Sequence, residues 1–227
     1  IEAYNAAFNI GRSGCYAQTV PQGCDICTGA NSSFKGFFIG IKNYSPNSSI
    51  PIAIEKANFI NNVTGVYEHQ SNMSFINRCY FGTTSSSNGV SFYNDLFSRN
   101  NYDDEIYGIY ENESERFDIA DNEFNYRLDE AILDGQFAMT RLHKSDNIAG
   151  RIFHNTFRLM IDQMPSWCPI DIKTAIYLTE SNPKVEIECN DIDLNFASLN
   201  TWFKSCYHSS DILINDLGGY NINIAPI

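Results

Sequence analysis

Leucine is scarce in this chain, with 10 residues among 227 against 27 isoleucines. Helical proteins lean on Leu and Ala, so the Ile excess, with 13 Tyr and 16 Phe, points to strands. Basic residues are few as well. Fifteen Lys and Arg face 27 Asp and Glu, and the net charge of −12 excludes a general nucleic-acid surface, which needs clustered cations. No apolar run approaches the roughly 18–20 residues of a membrane-spanning helix, so membrane insertion by a helix is not expected. What is present is enough for a core: 43% of the residues are apolar and only 19% charged, which excludes wholesale disorder. Asparagine is abundant, at 26 residues.

Seven cysteines (Cys15, Cys24, Cys27, Cys79, Cys168, Cys189 and Cys206) are too few for a disulfide scaffold of this length, and their number is odd. Cys24-Asp25-Ile26-Cys27 is a lone C-x-x-C. It reads as a local disulfide or buried thiols, because zinc would need a second pair or a nearby His. N-x-[ST] sequons begin at Asn31, Asn43, Asn47, Asn62, Asn72 and Asn112, as expected by chance in a chain this rich in Asn and Ser. The chain opens on Ile1 without a Met or a signal-like segment, and it reads as a processed product or a piece of something longer.

Self-similarity is the informative signal. A six-residue pattern, aliphatic-x-x-Asn-x-Phe in its clearest form, runs over Ile54 to Phe59, Ile76 to Phe81, Phe92 to Phe97, Ile119 to Phe124, Ile152 to Phe157, Ile187 to Ile192 and Ile212 to Leu217. Its fourth position is Ala57, Cys79, Asp95, Asn122, Asn155, Asn190 and Asn215 in turn. A second pattern sets a small residue before an aliphatic one: Gly40-Ile41, Gly65-Val66, Gly89-Val90, Gly108-Ile109, Ala131-Ile132 and Ala175-Ile176. Counting the final interval as two, with one degenerate copy near Arg151 to Phe153, the spacing averages 22.5 residues.

One such unit cannot bury its apolar face alone, so successive units must stack. Short strands stacked as parallel ladders about 4.8 Å apart would line an inner core. Asn122, Asn155, Asn190 and Asn215 are expected at equivalent turns, in left-handed backbone geometry and within reach of one another as an Asn ladder. Ile54, Phe59, Ile76, Phe81, Ile119, Phe124, Ile152, Phe157, Ile187 and Ile192 are expected to be inward and nearly fully buried. The fold class is all-β: a right-handed parallel β-helix, a solenoid of about 7–9 coils with irregular insertions. A leucine-rich repeat would need more Leu than the chain has. Local helices are expected in two stretches, Leu128 to Lys144 and Phe196 to Cys206. Residues 1–227 read as one β-helical segment: 1–33 less regular, 34–217 with recognisable repeats, and 218–227 its end or the start of a next module.

These G-[IV] and I-x-x-N-x-F copies resemble the pectin-lyase-like right-handed β-helix repeat. More narrowly, Val185-Glu186-Ile187-Glu188-Cys189-Asn190 with Ile192 is similar to a coil of very large secreted repeat proteins of Bacteroidota that carry a type IX sorting domain. The resemblance implies a secreted or cell-surface segment, with secretion machinery and surface glycans or proteins as partners. Characterised enzymes of this fold cleave polysaccharides, and their polygalacturonase-type set includes a G-H-G and an R-x-K. Neither is present here.

Glycoside hydrolysis wants two carboxylates about 5–10 Å apart, one of them with a raised pKa. Asp103, Asp104 and Glu105, followed by Glu111, Glu113 and Glu115, supply carboxylates, yet the cluster also reads as a hydrated acidic surface. Calcium is the one cofactor this cluster suggests, through oxygen ligands. A lyase would need a base, and His69, His143, His154 and His208 stand apart, with His154 expected to point outward. Trp167, Trp202 and Tyr207, in expected loops, suit either sugar stacking or core closure. No catalytic, cofactor or metal residue is therefore assigned. The leading expectation is a non-catalytic extracellular module, a spacer or adhesive segment; the alternative is a polysaccharide lyase or glycoside hydrolase with a groove along the β-helix.

Overall fold

The computed structural model describes residues 1–4, 9–10, 32–44, 52–71, 73–83, 105–128, 136–143, 150–161, 172–179, 185–196, 208–215 and 223–224. All regular structure among them is strand. The first coil holds β1 (Glu2–Tyr4), β2 (Asn9–Ile10) and β3 (Ser32–Lys35), and the second β4 (Ile39–Tyr44), β5 (Ile52–Glu55) and β6 (Ala57–Ile60). The third holds β7 (Thr64–His69), β8 (Ser74–Asn77) and β9 (Tyr80–Gly82), and the fourth β10 (Glu105–Asn112), β11 (Phe117–Ala120) and β12 (Glu123–Leu128). Then come β13 (Gln136–His143), β14 (Gly150–Phe153) and β15 (Thr156–Ile161), and after them β16 (Ile172–Thr179), β17 (Val185–Glu188) and β18 (Asp191–Phe196). A seventh coil contributes β19 (His208–Asn215) and β20 (Asn223–Ile224).

Every third strand pairs in parallel with the next of its kind. The result is three sheets: A in the order β1-β4-β7-β10-β13-β16-β19, B in the order β2-β5-β8-β11-β14-β17-β20, and C in the order β3-β6-β9-β12-β15-β18. The chain is a parallel β-helix.

The I-x-x-N-x-F register stands as the sequence predicts. Ile54, Ile76, Ile119, Ile152 and Ile187 are rung partners in sheet B. Phe34, Phe59, Phe81, Phe124 and Phe157 are rung partners in sheet C. Their rings stack face to face inside the coil, with centroids 5.0, 4.7, 4.9 and 4.7 Å apart and tilts of 13° or less. That spacing matches the rise between rungs, so stacking the strands also stacks the rings. Ile192 ends the column only partly buried, short of the full burial expected.

Each described turn from sheet B to sheet C bends at a single residue in left-handed conformation: Lys56, Arg78, Asp121, His154 and Cys189, with φ between 51° and 55°. The expected left-handed residue was the Asn, but the position immediately before it takes that conformation. This frees the Asn side chain to turn inward and bond along the axis. Asn122 Nδ2 donates to Ile76 O (2.7 Å), Asn155 Nδ2 to Ile119 O (2.9 Å) and Asn190 Nδ2 to Ile152 O (2.8 Å). The Asn155 Oδ1 accepts from both nitrogens of Asn122, and the Asn190 Oδ1 from both nitrogens of Asn155, all at 2.9–3.0 Å. Asn215 does not belong to this ladder. It ends β19 in sheet A, paired with Thr179, and Ile224 of β20 takes the sheet B place above Ile187.

One rung below Asn122, Cys79 fills the ladder position. Its thiol is 3.6 Å from Ile54 O, the carbonyl equivalent to those the Asn amides use, and its N–H donates to Asn122 Oδ1 at 2.9 Å. Burial pushes the thiol up to about 12. Cys79→Asn should extend the ladder by one rung and stabilise the protein by about 1 kcal/mol, the net value of a buried hydrogen bond. Urea melts of the two proteins measure it.

The coil length differs from the expected 22.5 residues. Along sheet A the rung partners are Ile41, Val66, Ile109, Thr140, Ile176 and Ile212, at spacings of 25, 43, 31, 36 and 36 residues. Gly89-Val90, Ala131-Ile132 and the Phe92 to Phe97 copy lie outside the described residues. Met139-Thr140 takes the place assigned to a degenerate copy near Arg151 to Phe153, which lies in sheet B. The helix expected over Leu128 to Lys144 is instead the end of β12 and all of β13, as far as it is described. Of the stretch Phe196 to Cys206, only Phe196 is described, as the last residue of β18.

Candidate functional site

Consecutive residues such as Ala175 and Ile176 both face the core in sheet A, and beyond them the strands alternate, so that the outer positions form two columns. One runs Lys42, Tyr67, Tyr110, Arg141, Tyr177; the other runs Tyr44, His69, Asn112, His143, Thr179. The side chains pack against one another across rungs. Tyr44 stacks on His69 at 5.0 Å, Tyr67 meets Tyr110 edge-on at 5.2 Å, and Tyr110 lies 5.2 Å from Tyr107. The Arg141 guanidinium sits 5.1, 4.8 and 5.6 Å from the ring centres of Tyr107, Tyr110 and Tyr177, and it donates to the Tyr107 hydroxyl. Tyr107, Ala138 and Tyr177 form a buried cluster separate from the core, with the partly buried Tyr110 against it. Asn112 Nδ2 donates to the Tyr67 hydroxyl at 3.1 Å, and His143 Nδ1 lies 2.9 Å from Thr179 Oγ1. Tyr177 and Thr179 are buried, and the partly exposed stretch runs from Lys42 to Arg141 in one column and from Tyr44 to His143 in the other.

The interior holds a second polar cluster. Asn43, Glu68 and Glu111 are rung partners facing inward at 0%, 0% and 2% exposure. Asn43 Nδ2 donates to Glu68 Oε2, and Ser74 Oγ to Glu111 Oε1, both at 2.8 Å. Burial raises Glu68 well above the usual carboxylate range, and the neighbouring Glu111 raises it further. Burial pushes Glu111 up to about 7, although the nearby Ser114 and Ser74 hydroxyls offset part of the effect.

A carboxyl raised in the folded state keeps a proton that the unfolded chain gives up above about 4.5. The stability from that proton is present at low pH and lost as pH rises toward about 7. In chelator-containing buffer the melting temperature should fall between about pH 5 and about pH 8, and Glu111→Gln should flatten that slope.

The residues singled out from sequence divide accordingly. Glu111, expected on a hydrated surface, is interior. Glu113 is in a left-handed turn and accepts from Gln70 Nε2 at 2.7 Å, while Glu115 is exposed. Glu105 opens β10. His69 and His143, expected to stand apart, share a column two rungs apart, with Asn112 between them. His154 is exposed in its turn as expected, 3.8 Å from Asp121. His208 opens β19. Asp103, Asp104, Trp167, Trp202, Tyr207, Cys15, Cys24, Cys27, Cys168 and Cys206 lie outside the described residues. Among those described, Cys189 is an exposed free thiol and Cys79 a buried one. No known protein family matches the chain, and no curated protein or solved structure is similar to it. Among the described residues no three His, Cys, Asp or Glu side chains gather as metal ligands, and no helix is long and apolar enough to cross a membrane.

The tyrosine columns were missed from sequence, though a signal existed. They fall one and three residues after the aliphatic member of the G-[IV] pairs: Ile41 to Tyr44, Val66 to Tyr67 and His69, Ile109 to Tyr110, Ile176 to Tyr177.

Proposed function

We propose that this chain is a non-catalytic β-helical module that binds an extended partner, a surface glycan in the first instance, along the outer face of sheet A. The observation carrying this reading is the partly exposed pair of columns from Lys42 to Arg141 and from Tyr44 to His143, whose rings and polar tips repeat about every 4.8 Å. Aromatic faces stack on apolar sugar faces, and hydroxyl and imidazole groups bond to their edges. The likeness of the repeat to pectin-lyase-like coils, and of the Cys189-Asn190 coil to secreted Bacteroidota repeat proteins, supports a secreted or cell-surface setting. Glu68 and Glu111, the adjacent carboxylates that hydrolysis would call on, face the interior, where no substrate reaches them.

The test is retention on a panel of immobilised polysaccharides, with reducing ends and unsaturated uronates assayed in parallel. Tyr67→Ala and Tyr110→Ala should each weaken retention about tenfold, the equivalent of one stacking contact, without changing the melt by more than a few degrees. Turnover on any polysaccharide would favour the alternative, a polysaccharide lyase or glycoside hydrolase. Retention that both variants leave unchanged would remove sheet A as the binding face.

A further inference from the structure

Behind the outer face of sheet A, Glu68 and Glu111 lie side by side as rung partners of β7 and β10, both buried. Neutral groups surround them. Asn43 of β4 and Ser71 of the following turn interact with Glu68, and Ser74 of β8 and Ser114 of its own turn interact with Glu111. On the far side, β13 places Leu142 on the Glu111 rung. Among the described residues of these elements no basic side chain faces the pair. Lys42, His69, Arg141 and His143 stand in the outer columns, across the sheet, and Glu113, Glu115 and Arg116 in the turn after β10 are partly or fully exposed. Each carboxyl is therefore the other's one titratable neighbour, on rungs about 4.8 Å apart. Two like charges cannot both ionise in a dry interior at that spacing unless the rungs part and water enters.

The same junction carries the middle of both outer columns. Glu68 sits between Tyr67 and His69, and Glu111 between Tyr110 and Asn112. Tyr67 meets Tyr110 at 5.2 Å and its hydroxyl accepts from Asn112 Nδ2 at 3.1 Å, both across β7 and β10. Successive side chains of a strand point to opposite faces of one backbone, so parting the carboxyls also parts these contacts. We propose that the Glu68–Glu111 pair is a proton switch for the outer face of sheet A. With a proton on the pair, β7 and β10 stay joined and the columns are continuous; with both carboxyls ionised, that junction opens and the face is split. The proposal rests on the reading of sheet A as the binding face. Burial raises both groups, so the joined form holds at low pH and gives way as pH rises through about 7. Binding follows the population of the joined form.

Amide hydrogen exchange of the free chain, read by mass spectrometry at about pH 5.5 and about pH 8.5 and corrected for intrinsic exchange, tests the switch without a ligand. Protection of β7 and β10 should drop at least about tenfold more than that of β16 and β17. Retention on the polysaccharides bound in the panel above should weaken by about the same factor. Glu68→Gln/Glu111→Gln keeps the shape and the hydrogen-bonding capacity of both groups, and it should hold protection and retention constant between the two pH values. If the double variant does not fold, Glu111→Gln alone, which removes the repulsion, should cut the drop to less than about threefold. An equal drop in every strand is ordinary unfolding and would overturn the switch, as would protection that does not change with pH. A drop that survives in the glutamine variants would place the titration on His69 or His143 and overturn it too. No retention at either pH, with β7 and β10 still losing protection, would overturn the binding reading and leave the proton-controlled junction standing.

Discussion

Asn155→Ala should cost about 3–5 kcal/mol, from two or three buried groups left unsatisfied at ~1–3 kcal/mol each. The Asn155 side chain accepts from both nitrogens of Asn122 and donates to Ile119 O and Asn190 Oδ1, at 2.9–3.0 Å, with 1% of the residue exposed. Alanine supplies none of these bonds, and no water reaches the turn without opening it. The loss is not local to one rung, because Asn122 and Asn190 both orient against Asn155. Denaturant melts of the variant and the parent measure the difference. A loss below about 1 kcal/mol would show that the ladder is bonded in geometry only. Substituting Asn125, an exposed residue on the adjoining strand, is the matched control and should change stability by less than about 0.5 kcal/mol.

Phe124→Ala is expected to cost about 3–5 kcal/mol by a different route, lost transfer energy plus a cavity. Phe124 is fully buried, with Phe81 4.9 Å below and Phe157 4.7 Å above, so removing its ring interrupts a column of five. The strands on either side are held at fixed spacing by backbone hydrogen bonds and cannot collapse into the gap. For that reason the upper part of the range is expected. Phe124→Leu should recover more than half of the loss, because it refills much of the volume without the stacking.

These two sites mark what the sequence makes legible. Ile at the first position, Asn at the fourth and Phe at the sixth lie within one B-to-C turn that bends at one residue in all five described copies, so their spacing in sequence sets their spacing in space. Where the chain leaves that turn, the correspondence fails. Met139-Thr140 does not match the small-aliphatic pattern yet takes the rung next to Gly108-Ile109. Ladder pairing is decided by backbone hydrogen bonds and admits Met139 there, whereas a Cβ on Gly40, Gly65 or Gly108 would lie 2.5–2.7 Å from a neighbouring carbonyl oxygen.

Glu111 misled for a related reason. A glutamate between tyrosine and asparagine in a strand reads as solvent-facing, because charged residues are almost never fully buried. Its inward direction follows only from the rung it shares with Glu68 and from the alternation of β10. Asn215 repeats the letters of the ladder motif in a strand of sheet A, so the motif is informative only where the turn is present as well.

The unequal coils, 25 to 43 residues long at constant rise, bear on how such a protein changes over time. The sheet C to sheet A connection lengthens from 3 residues between β6 and β7 to 22 between β9 and β10, which adds only about 2 kcal/mol of closure entropy, since the cost grows with the logarithm of length. Rungs and connections therefore vary on separate terms. A lineage can trade whole connections, or an engineer can graft new ones, while the asparagine and phenylalanine columns hold the scaffold fixed. Selection for new partners would then act on connection length and content long before it touched a core position.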